Sequence, residues 1–149
     1  MDLTIRKMRE SDLEPLFELL SNERVMRYIE PAYSPAQTRD FIRTAGLCEP
    51  PLVYAIAEKA TGAVIGHVIW HSYDAQRYEL GWVLRRDRWG RGLASELTAA
   101  LITHARCAGV RALVLECAAE QTVTQHIAER FGFCRLADTP LVLYELRLN

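Results

Sequence analysis

The sequence contains no apolar run of about 18 residues, the length that a helix needs to cross the hydrocarbon core of a bilayer. Its opening, MDLTIRKMRESDLE, carries charges where a secretory signal peptide needs an apolar segment. We therefore expect neither a membrane span nor a secretory leader. The protein is expected to act in the cytoplasm.

The sequence also lacks an excess of charge of either sign. The 18 Lys and Arg residues are balanced by 19 Asp and Glu residues, which gives a formal net charge of -1. A nucleic-acid-binding protein that works by bulk electrostatics needs a clear positive excess, so this class of partner is not expected. The 149 residues are the common size of one globular domain, and we predict a single domain over residues 1–149.

Metal-binding patterns are missing. The four cysteines form no Cys-x-x-Cys pair and lie in apolar contexts, which predicts small buried hydrophobes at Cys48, Cys107, Cys117 and Cys134. His67 and His71 lie on a predicted strand, where four residues span ~13 Å, too far for one ion. The other two histidines, His104 and His126, are isolated on predicted helices. No metal site is predicted.

Hydrophobic periodicity predicts an α/β (α+β) fold with the order β-α-α-β-β-β-α-β-α-β-β. Alternating or apolar segments predict strands at residues 3–6, 52–58, 63–70, 77–84, 112–117, 133–138 and 141–148. Capping boxes predict helix starts at Ser11–Glu14, Ser34–Gln37 and Thr122–Gln125. A fourth helix, at residues 92–106, has apolar residues on one face. A meander before a single parallel βαβ unit requires a mixed sheet.

The most informative segment joins the strand at residues 77–84 to the helix at residues 92–106. It reads Arg85–Arg88 and then Trp89-Gly90-Arg91-Gly92-Leu93-Ala94. The first turn of a helix offers unpaired N–H groups and a partial positive charge, and the glycines let the backbone approach a ligand closely. Arginines at 85, 86, 88 and 91 add positive charge. These features predict an anion site, with a diphosphate as the natural ligand.

Other interpretations of this turn compete. Two glycines beside solvated arginines also occur in ordinary tight connections, but Trp89 is expected to pack down and fix the shape of the turn. A Rossmann site needs GxGxxG directly after its strand, whereas five residues separate Gly90 from Leu84. A Walker A loop is excluded because the sequence has no Gly-Lys-Ser/Thr.

The segment Trp89–Ala94 resembles the cofactor turn of the GNAT superfamily of N-acetyltransferases, whose motif is Gln/Arg-x-x-Gly-x-Gly/Ala. It is most similar to the Trp-Gly-Lys-Gly-Tyr-Ala of the RimJ/RimL branch. The resemblance extends to Ile5-Arg6, to residues 12–29, to Leu80–Leu84 and to Phe131-Gly132-Phe133, so it covers nearly the whole chain. It implies a twisted, partly splayed sheet flanked by helices, in which residues 77–84 and 112–117 run parallel and separate at one end.

The resemblance also implies acetyl-CoA as cosubstrate and a primary amine as acceptor, which attacks the bound thioester directly in a ternary complex. It implies cofactor contacts at Trp82, Val83, Leu84, Trp89, Gly90, Arg91, Gly92, Leu93, Ala94, Gln121 and Thr124. One stretch departs from the family pattern, because Gln121 and Thr124 stand where these proteins often carry Asn-x-x-Ser. Whether Gln121 makes the cofactor contacts of that Asn is therefore an open question.

Acetyl transfer to an amine needs a base for the ammonium, a donor for the thioester oxygen and a proton for the leaving thiolate. By resemblance, Glu79 is the candidate base, with Asp138 and Glu145 as rivals and a structural pairing with Arg77 as the alternative. The backbone N–H groups of Trp82–Leu84 are the candidate donors. Thr124 and Tyr144 are candidate proton donors, and Thr124 is equally suited to supporting its helix.

The acceptor is not specified by the sequence. Tyr28, Tyr33 and Trp70 are candidates for lining its pocket and equally candidates for ordinary core or rim positions. The rival function is a non-catalytic acyl-CoA-binding or sensing module that has kept the turn and lost the base. A short edge meander and closing strands are compatible with a homodimer.

Overall fold

The structure, a computed structural model, describes residues 1–148. Seven strands form one sheet in the order β1-β2-β3-β4-β5-β7-β6. The strands are β1 (Leu3–Arg6), β2 (Val53–Glu58), β3 (Val64–Ser72), β4 (Arg77–Leu84), β5 (Ala112–Cys117), β6 (Cys134–Ala137) and β7 (Val142–Arg147). The α-helices are α1 (Leu13–Leu20), α2 (Glu23–Met26), α3 (Pro35–Phe41), α4 (Leu93–Cys107) and α5 (Thr122–Arg130). The predicted mixed α/β architecture is confirmed.

By its internal contacts the chain divides into two compact units. The first comprises residues 1–71 and 82–93, and the second comprises residues 72–81 and the chain from Ala94 onward. Strand β4 contributes its first five residues to the second unit and its last three to the first. A single domain over residues 1–149 stays a prediction.

In the first unit, strands β1, β2 and β3 form an antiparallel meander. Its core combines apolar side chains of α1 and α2 with those of the strands, and Phe41 at the end of α3 packs against it. Leu16, Leu19 and Leu20 of α1 are each at most 2% exposed. The start of α1 differs from the prediction, because Ser11 does not cap it. A 3-10 turn at Glu10–Asp12 precedes the helix, and the Asp12 carboxylate accepts the backbone N–H of Arg9 at 2.8 Å.

Asp12 is held by a second interaction that sequence spacing did not indicate. Both terminal guanidinium nitrogens of Arg6, at the end of β1, donate to its two carboxylate oxygens at 2.9 Å. Burial opposes ionisation of Asp12, but the hydrogen bonds from Arg6 and Arg9 outweigh it and lower the pKa of Asp12 below its usual value. This ion pair fixes α1 to the first strand.

Helix α3 begins as predicted, since Ser34 and Gln37 form a reciprocal capping box around Pro35. The helix continues beyond its predicted end as a π-helical turn over Ile42–Gly46. The short helix α2 was not predicted. Asn22 caps it by accepting the N–H groups of Arg24 and Val25, a signal present in the sequence but too short to show periodicity.

Gly66 of β3 lies against the end of β4. A Cβ at this position would lie 2.2 Å from the carbonyl oxygen of Val83 and 3.2 Å from the Cα of Leu84. No side chain fits at that distance, so glycine is required here by close backbone approach.

The second unit is built around β5, which is buried at five of its six residues. It pairs with β7 in antiparallel register along its whole length and with β4 in parallel register from Arg77↔Ala112 to Glu79↔Val114. Within this unit the β4–β5 pairing ends at Glu79↔Val114 although both strands continue, as expected for strands that separate at one end.

Helices α4 and α5 lie in the second unit apart from Leu93, the first residue of α4. Helix α4 buries Leu97, Leu101 and Ala105 as its periodicity predicted. The capping box predicted for α5 is wrong, because Thr122 is already helical and no side-chain cap bond forms. Gln125 instead turns back and donates to the carbonyl oxygens of Ala118 and Ala119 at 3.3 and 2.9 Å.

The prediction of four buried cysteines is largely wrong. Cys117 is buried on β5, Cys48 is half-buried, and Cys107 and Cys134 are exposed. The last two lie at the end of α4 and on β6, whose residues face mostly outward. Among residues 1–148, no helix combines the length and apolarity that a bilayer crossing requires.

Candidate cofactor turn and catalytic residues

The segment between β4 and α4 is shaped by two glycines in the left-handed region. A 3-10 turn at Arg86–Arg88 leads into Gly90 and Gly92, whose φ angles are 74° and 76°. A Cβ added at either glycine would meet no heavy atom within 4 Å. The glycines therefore serve the backbone conformation, and the space that side chains would occupy is open to a ligand.

Trp89 shapes this turn in a different way from the one predicted. Its side chain does not pack down, since it is 48% exposed. Its indole Nε1–H donates to the carbonyl oxygen of Leu84 at 3.0 Å, and the Arg86 guanidinium lies 5.7 Å from the ring centroid. The polar edge of the indole, rather than its apolar face, ties the turn to the end of β4.

The positive charge of the turn is smaller than the sequence indicated. Arg85 pairs with Asp87 at 2.9 Å, and Arg88 pairs with Glu58 at 3.0 Å. Arg86 and Arg91 form no ion pair with any residue in the 1–148 range. Two of the four arginine charges are thus compensated, and two remain for a ligand.

A fifth arginine lies at the start of α4. The guanidinium of Arg130, the last residue of α5, hydrogen-bonds the hydroxyl of Ser95, which is in the first turn of α4. Sequence reasoning missed this residue because 35 positions separate the partners and no local pattern connects them.

The candidate base Glu79 is half-buried on β4, in register with Val114 of β5. Val114 is in turn in register with Glu145 of β7. Residues in register project from the same face of a sheet, so Glu79 and Glu145 share one face. Arg77, the alternative partner considered for Glu79, binds Asp74 at 2.8 Å and Glu145 at 3.1 Å.

The rival bases are both engaged by arginines. Glu145 lies between Arg77 and Arg147, at 3.1 and 3.2 Å. Asp138 pairs with Arg135 at 2.9 Å and its side chain is 73% exposed. Both carboxylates are therefore already engaged in ion pairs with arginines.

Tyr144 is fully buried on β7 and faces the other side of the sheet from Glu145, the next residue along the strand. Its hydroxyl donates to Glu129 of α5 at 3.0 Å. Burial and the Glu129 carboxylate raise the pKa of Tyr144. The structure therefore does not bring Tyr144 to the face that carries Glu79.

Gln121 and Thr124 are the two positions that depart from the family pattern, and they differ in whether their side chains are already hydrogen-bonded within the protein. The Oε1 atom of Gln121 accepts the backbone N–H of Ala118 at 2.8 Å, so this oxygen is used within the loop before α5. Thr124 is half-buried in the first turn of α5, and its hydroxyl makes no hydrogen bond to the rest of the described chain. Thr124 is thus free to contact a ligand.

The aromatic candidates for the acceptor pocket lie in the first unit. Tyr28 is 37% exposed, beneath the guanidinium of Arg27. Tyr33 donates to Glu30, and burial together with that carboxylate raises the pKa of Tyr33 to about 12. Trp70 is half-buried on β3.

His67 and His71 both lie on β3. No group of three or more His, Cys, Asp or Glu side chains in the described residues is arranged to hold a metal ion. His67 is 4% exposed, its ring lies 5.2 Å from that of Phe41, and its Nδ1 atom has no hydrogen-bond partner within residues 1–148. Burial lowers the pKa of His67 to about 4.

Comparison with known proteins identifies the family. Residues 2–134 match the acetyltransferase (GNAT) domain. An uncharacterized N-acetyltransferase p20 of Bacillus licheniformis is 34% identical over 109 residues, an alignment that spans 68% of this chain and 61% of that protein. The chain therefore matches less than two thirds of the length of this relative.

Solved structures share the fold. A GNAT-family acetyltransferase from Bacillus anthracis is similar with a TM-score of 0.88 and 24% identity, over 99% of this chain and 95% of that one. The putative acetyltransferase yncA of Salmonella typhimurium, solved with acetyl-CoA, has a TM-score of 0.74 and 18% identity over 100% and 95%. RimL, an α-N-protein acetyltransferase of ribosomal L7/L12, has a TM-score of 0.85 and 18% identity over 99% and 91%. By the domain match over most of its length, the chain belongs to the GNAT acetyltransferase family.

Proposed function

We propose that this protein transfers the acetyl group of acetyl-CoA to a primary amine on a protein N-terminus, a peptide or a small molecule. The observation that carries the proposal is the turn before α4, where Gly90 and Gly92 adopt positive φ angles and leave open space beside the helix N-terminus. Membership of the GNAT family supports the reaction, and the acetyl-CoA bound to a fold neighbour supports the cosubstrate.

Binding of the cosubstrate is assigned to the turn. The pyrophosphate of acetyl-CoA accepts hydrogen bonds from the N–H groups of residues 90–94, which the helix start leaves unpaired. Arg86 and Arg91 supply uncompensated positive charge. Thr124 contacts the cofactor through its hydroxyl, whereas Gln121 contributes through its amide nitrogen, since its oxygen is bonded to Ala118.

Three kinds of protein group take part in the transfer step: a base, hydrogen-bond donors to the thioester oxygen and a proton donor to the thiolate. Glu79, through a water, takes a proton from the acceptor ammonium, and the amine nitrogen then attacks the thioester carbonyl carbon. Backbone N–H groups of Trp82–Leu84 donate to the carbonyl oxygen as charge develops on it. As the new C–N bond forms and the C–S bond breaks, the attacking nitrogen releases its remaining extra proton. The leaving thiolate takes a proton from solvent or from Thr124, and in the second case the proton released by the nitrogen restores the Thr124 hydroxyl. Tyr144, bonded to Glu129, is the weaker candidate for this donor.

The relatives support narrower proposals. The fold similarity to RimL supports a place in the RimJ/RimL branch and an acceptor at a protein N-terminus. A protein N-terminus as acceptor supports action in the cytoplasm, which is part of this proposal. A homodimer and a single domain over residues 1–149 belong to the same proposal.

The experiment is release of free CoA thiol from acetyl-CoA in the presence of a panel of amines that includes N-terminal peptides and small amines. Thiol release that depends on one amine class, with the acetylated amine identified by mass, supports the proposal. Tight binding of acetyl-CoA with no release for any amine would instead support a non-catalytic acyl-CoA-binding module. The same reaction without an amine controls for hydrolysis.

A further inference from the structure

The side chain of Tyr73, in the loop before β4, lies across one face of the sheet of the second unit. Glu79 is in register with Val114, so residues two positions from either of them project from the same face. Arg77 and Glu116 are such residues. The Tyr73 ring lies over the Arg77 guanidinium, 5.1 Å from the centroid, and its hydroxyl donates to Glu116 at 3.1 Å. Tyr73 therefore extends over the face that carries the proposed base.

The loop that holds Tyr73 is closed by its own hydrogen bonds. The N–H of Tyr73 donates to the carbonyl oxygen of Arg77 at 2.8 Å. The Asp74 carboxylate accepts the N–H groups of Gln76 and Arg77, both at 2.9 Å. Tyr73 is thus held at its backbone, its ring and its hydroxyl although it is 36% exposed. Such preorganisation reduces the entropy that a ligand contact costs.

The Tyr73 hydroxyl is arranged to accept a hydrogen bond from a ligand. Its single proton is donated to Glu116, and only the lone pairs of its oxygen remain for a further partner. The hydrogen bond and charge of Glu116, to which the charge of Glu79 adds, raise the pKa of Tyr73, so the hydroxyl stays protonated at neutral pH. An ammonium or amine N–H is the kind of group that this oxygen binds.

The charge beside this oxygen also favours a cation. Glu116 is half-buried, and it forms no ion pair with any residue from 1 to 148. Arg77, the cation in contact with the Tyr73 ring, is matched by Asp74 at 2.8 Å and by Glu145 at 3.1 Å. The carboxylate that holds the hydroxyl therefore keeps its negative charge, while the neighbouring positive charge is compensated.

We infer that Tyr73 binds the acceptor ammonium beside Glu79, with Glu116 holding its hydroxyl in the accepting orientation. The inference rests on the proposed function, since it needs an amine at the proposed base. Glu116 lies two residues beyond Val114, where the pairing of β5 with β4 has ended within this unit. An ammonium there donates one N–H to Tyr73 and a second to the water on Glu79. The lone pair that appears on proton loss is then held in one direction for attack.

A structural role is the competing explanation, because the bond from Tyr73 to Glu116 also fastens the loop to β5. A fastening bond contributes to stability without any ligand. A residue that binds the ammonium instead changes the KM of the amine and leaves the binding of acetyl-CoA unaffected. These two effects are measured separately.

The test measures kcat and KM for the amine by thiol release, acetyl-CoA affinity by calorimetry, and melting without ligand. The amine is the fastest of the panel described above, with triglycinamide and phenethylamine as its peptide and small-molecule reference members. The variants are Tyr73→Phe, Glu116→Gln and Tyr78→Phe. Tyr78 adjoins Glu79 on β4 and projects from the opposite face, so its variant removes a hydroxyl from the other side of the same strand.

We expect Tyr73→Phe to raise the KM of the amine about tenfold to a hundredfold, the usual worth of a hydrogen bond to a charged group. Its kcat should change less than about threefold, and the pH profile of kcat should keep its shape because the base is intact. Glu116→Gln should raise the KM less, since the amide oxygen still accepts the Tyr73 proton. Tyr78→Phe should leave the KM unchanged, and acetyl-CoA affinity should be the same in all variants.

Different results would overturn this inference and the proposed function. A normal amine KM in Tyr73→Phe, with or without a lowered melting temperature, would make the bond structural and leave the proposed function standing. A fall in kcat of Glu116→Gln that recovers as the pH rises would make Glu116 the proton acceptor and overturn the role inferred for it. No acetylated product from any amine of the panel with the unsubstituted chain would refute the proposed function and this inference together.

Discussion

The indole Nε1–H of Trp89 donates a 3.0 Å hydrogen bond to the carbonyl oxygen of Leu84, the last residue of β4. This bond connects the glycine turn, proposed to bind the pyrophosphate, with the strand end proposed to bind the thioester oxygen. Two parts of one ligand would thus be positioned by a single side chain that is itself largely exposed.

Replacing Trp89 by Phe should keep an aromatic ring and remove this bond. We expect acetyl-CoA affinity to fall about fivefold, the equivalent of one hydrogen bond near 1 kcal/mol. Stability without ligand should hardly change because the side chain is 48% exposed. Tyr73→Phe is the control, since it removes the bond from another exposed aromatic to Glu116 and should leave affinity unchanged. Equal affinity in both variants would disprove the positioning role.

Gly92 offers a sharp test because Gly62 matches it. The φ angles are 76° and 75°, and neither glycine has a heavy atom within 4 Å of an added Cβ. Substitution by Ala should therefore cost each variant about 1–2 kcal/mol of stability through the same backbone strain. Only Gly92→Ala should lose the rise in melting temperature that acetyl-CoA produces by mass action. A full rise in that variant would place the cofactor elsewhere.

Glu79→Gln tests the proposed base. Turnover at neutral pH should fall by about 10²–10⁴, the usual worth of general-base catalysis, while acetyl-CoA affinity hardly changes. Raising the pH toward the pKa of the acceptor amine should recover much of the loss, because solvent then supplies free amine. Glu145→Gln, on the same face but bound to Arg77, is the matched variant and should stay within a few fold of the parent. A reversed pattern would make Glu145 the base.

His67 should make stability depend on pH. Its pKa is about 4 in the folded state, against about 6.5 in an unfolded chain, so the unfolded state binds more protons between these values. Stability should fall by on the order of 3 kcal/mol as the pH drops from about 6.5 to about 4, and the loss should not grow below that range. Urea unfolding at several pH values measures this. His67→Leu should flatten the dependence within the window, and an unchanged slope would exclude His67 as its source.

The contribution of Asp12 to stability should change over a more acidic pH range than that of His67. Its pKa is lowered in the folded state, so its contribution is complete above the unfolded pKa near 3.9 and is lost as the pH falls through the folded pKa. Asp12→Asn should cost about 2–4 kcal/mol at neutral pH because Arg6 loses its charged partner in a part-buried site. Glu49→Gln, in an exposed pair with Lys7, should cost less than about 1 kcal/mol. Equal costs would show that burial does not strengthen the Arg6–Asp12 pair.

Local rules predicted the regular elements well. Strands β1, β4 and β5 have the predicted bounds, and α3 begins at the predicted capping box. These are segments where alternation or a Ser-Pro start specifies the backbone without help from distant residues. The start of α1 was predicted wrongly. Asp12, not Ser11, accepts a backbone N–H before the helix, and Asp12 is also bound by Arg6 on the preceding strand.

In the candidate site, too, features set by local backbone geometry could be predicted, and features set by partners far away in the sequence could not. The glycine conformations could be anticipated because positive φ is a local property, and both glycines have it. The charge of the turn could not, since Arg88 is compensated by Glu58, which lies 30 residues away in the sequence. The contact of Arg130 with Ser95 could not be predicted either, because 35 positions separate the two residues in the sequence. Tyr144 looked available in the sequence, but its hydroxyl is bonded to a helix that precedes it.

The close approach of Gly66 to Val83 has a consequence for how this protein tolerates mutation. Every amino acid except glycine brings a Cβ, so every missense change at this codon meets the Val83 carbonyl oxygen at 2.2 Å. The strand end that would be displaced carries Trp82–Leu84. In a saturation library scored for activity, position 66 should therefore be as intolerant as the turn itself, although its residue has no side chain with which to touch a substrate.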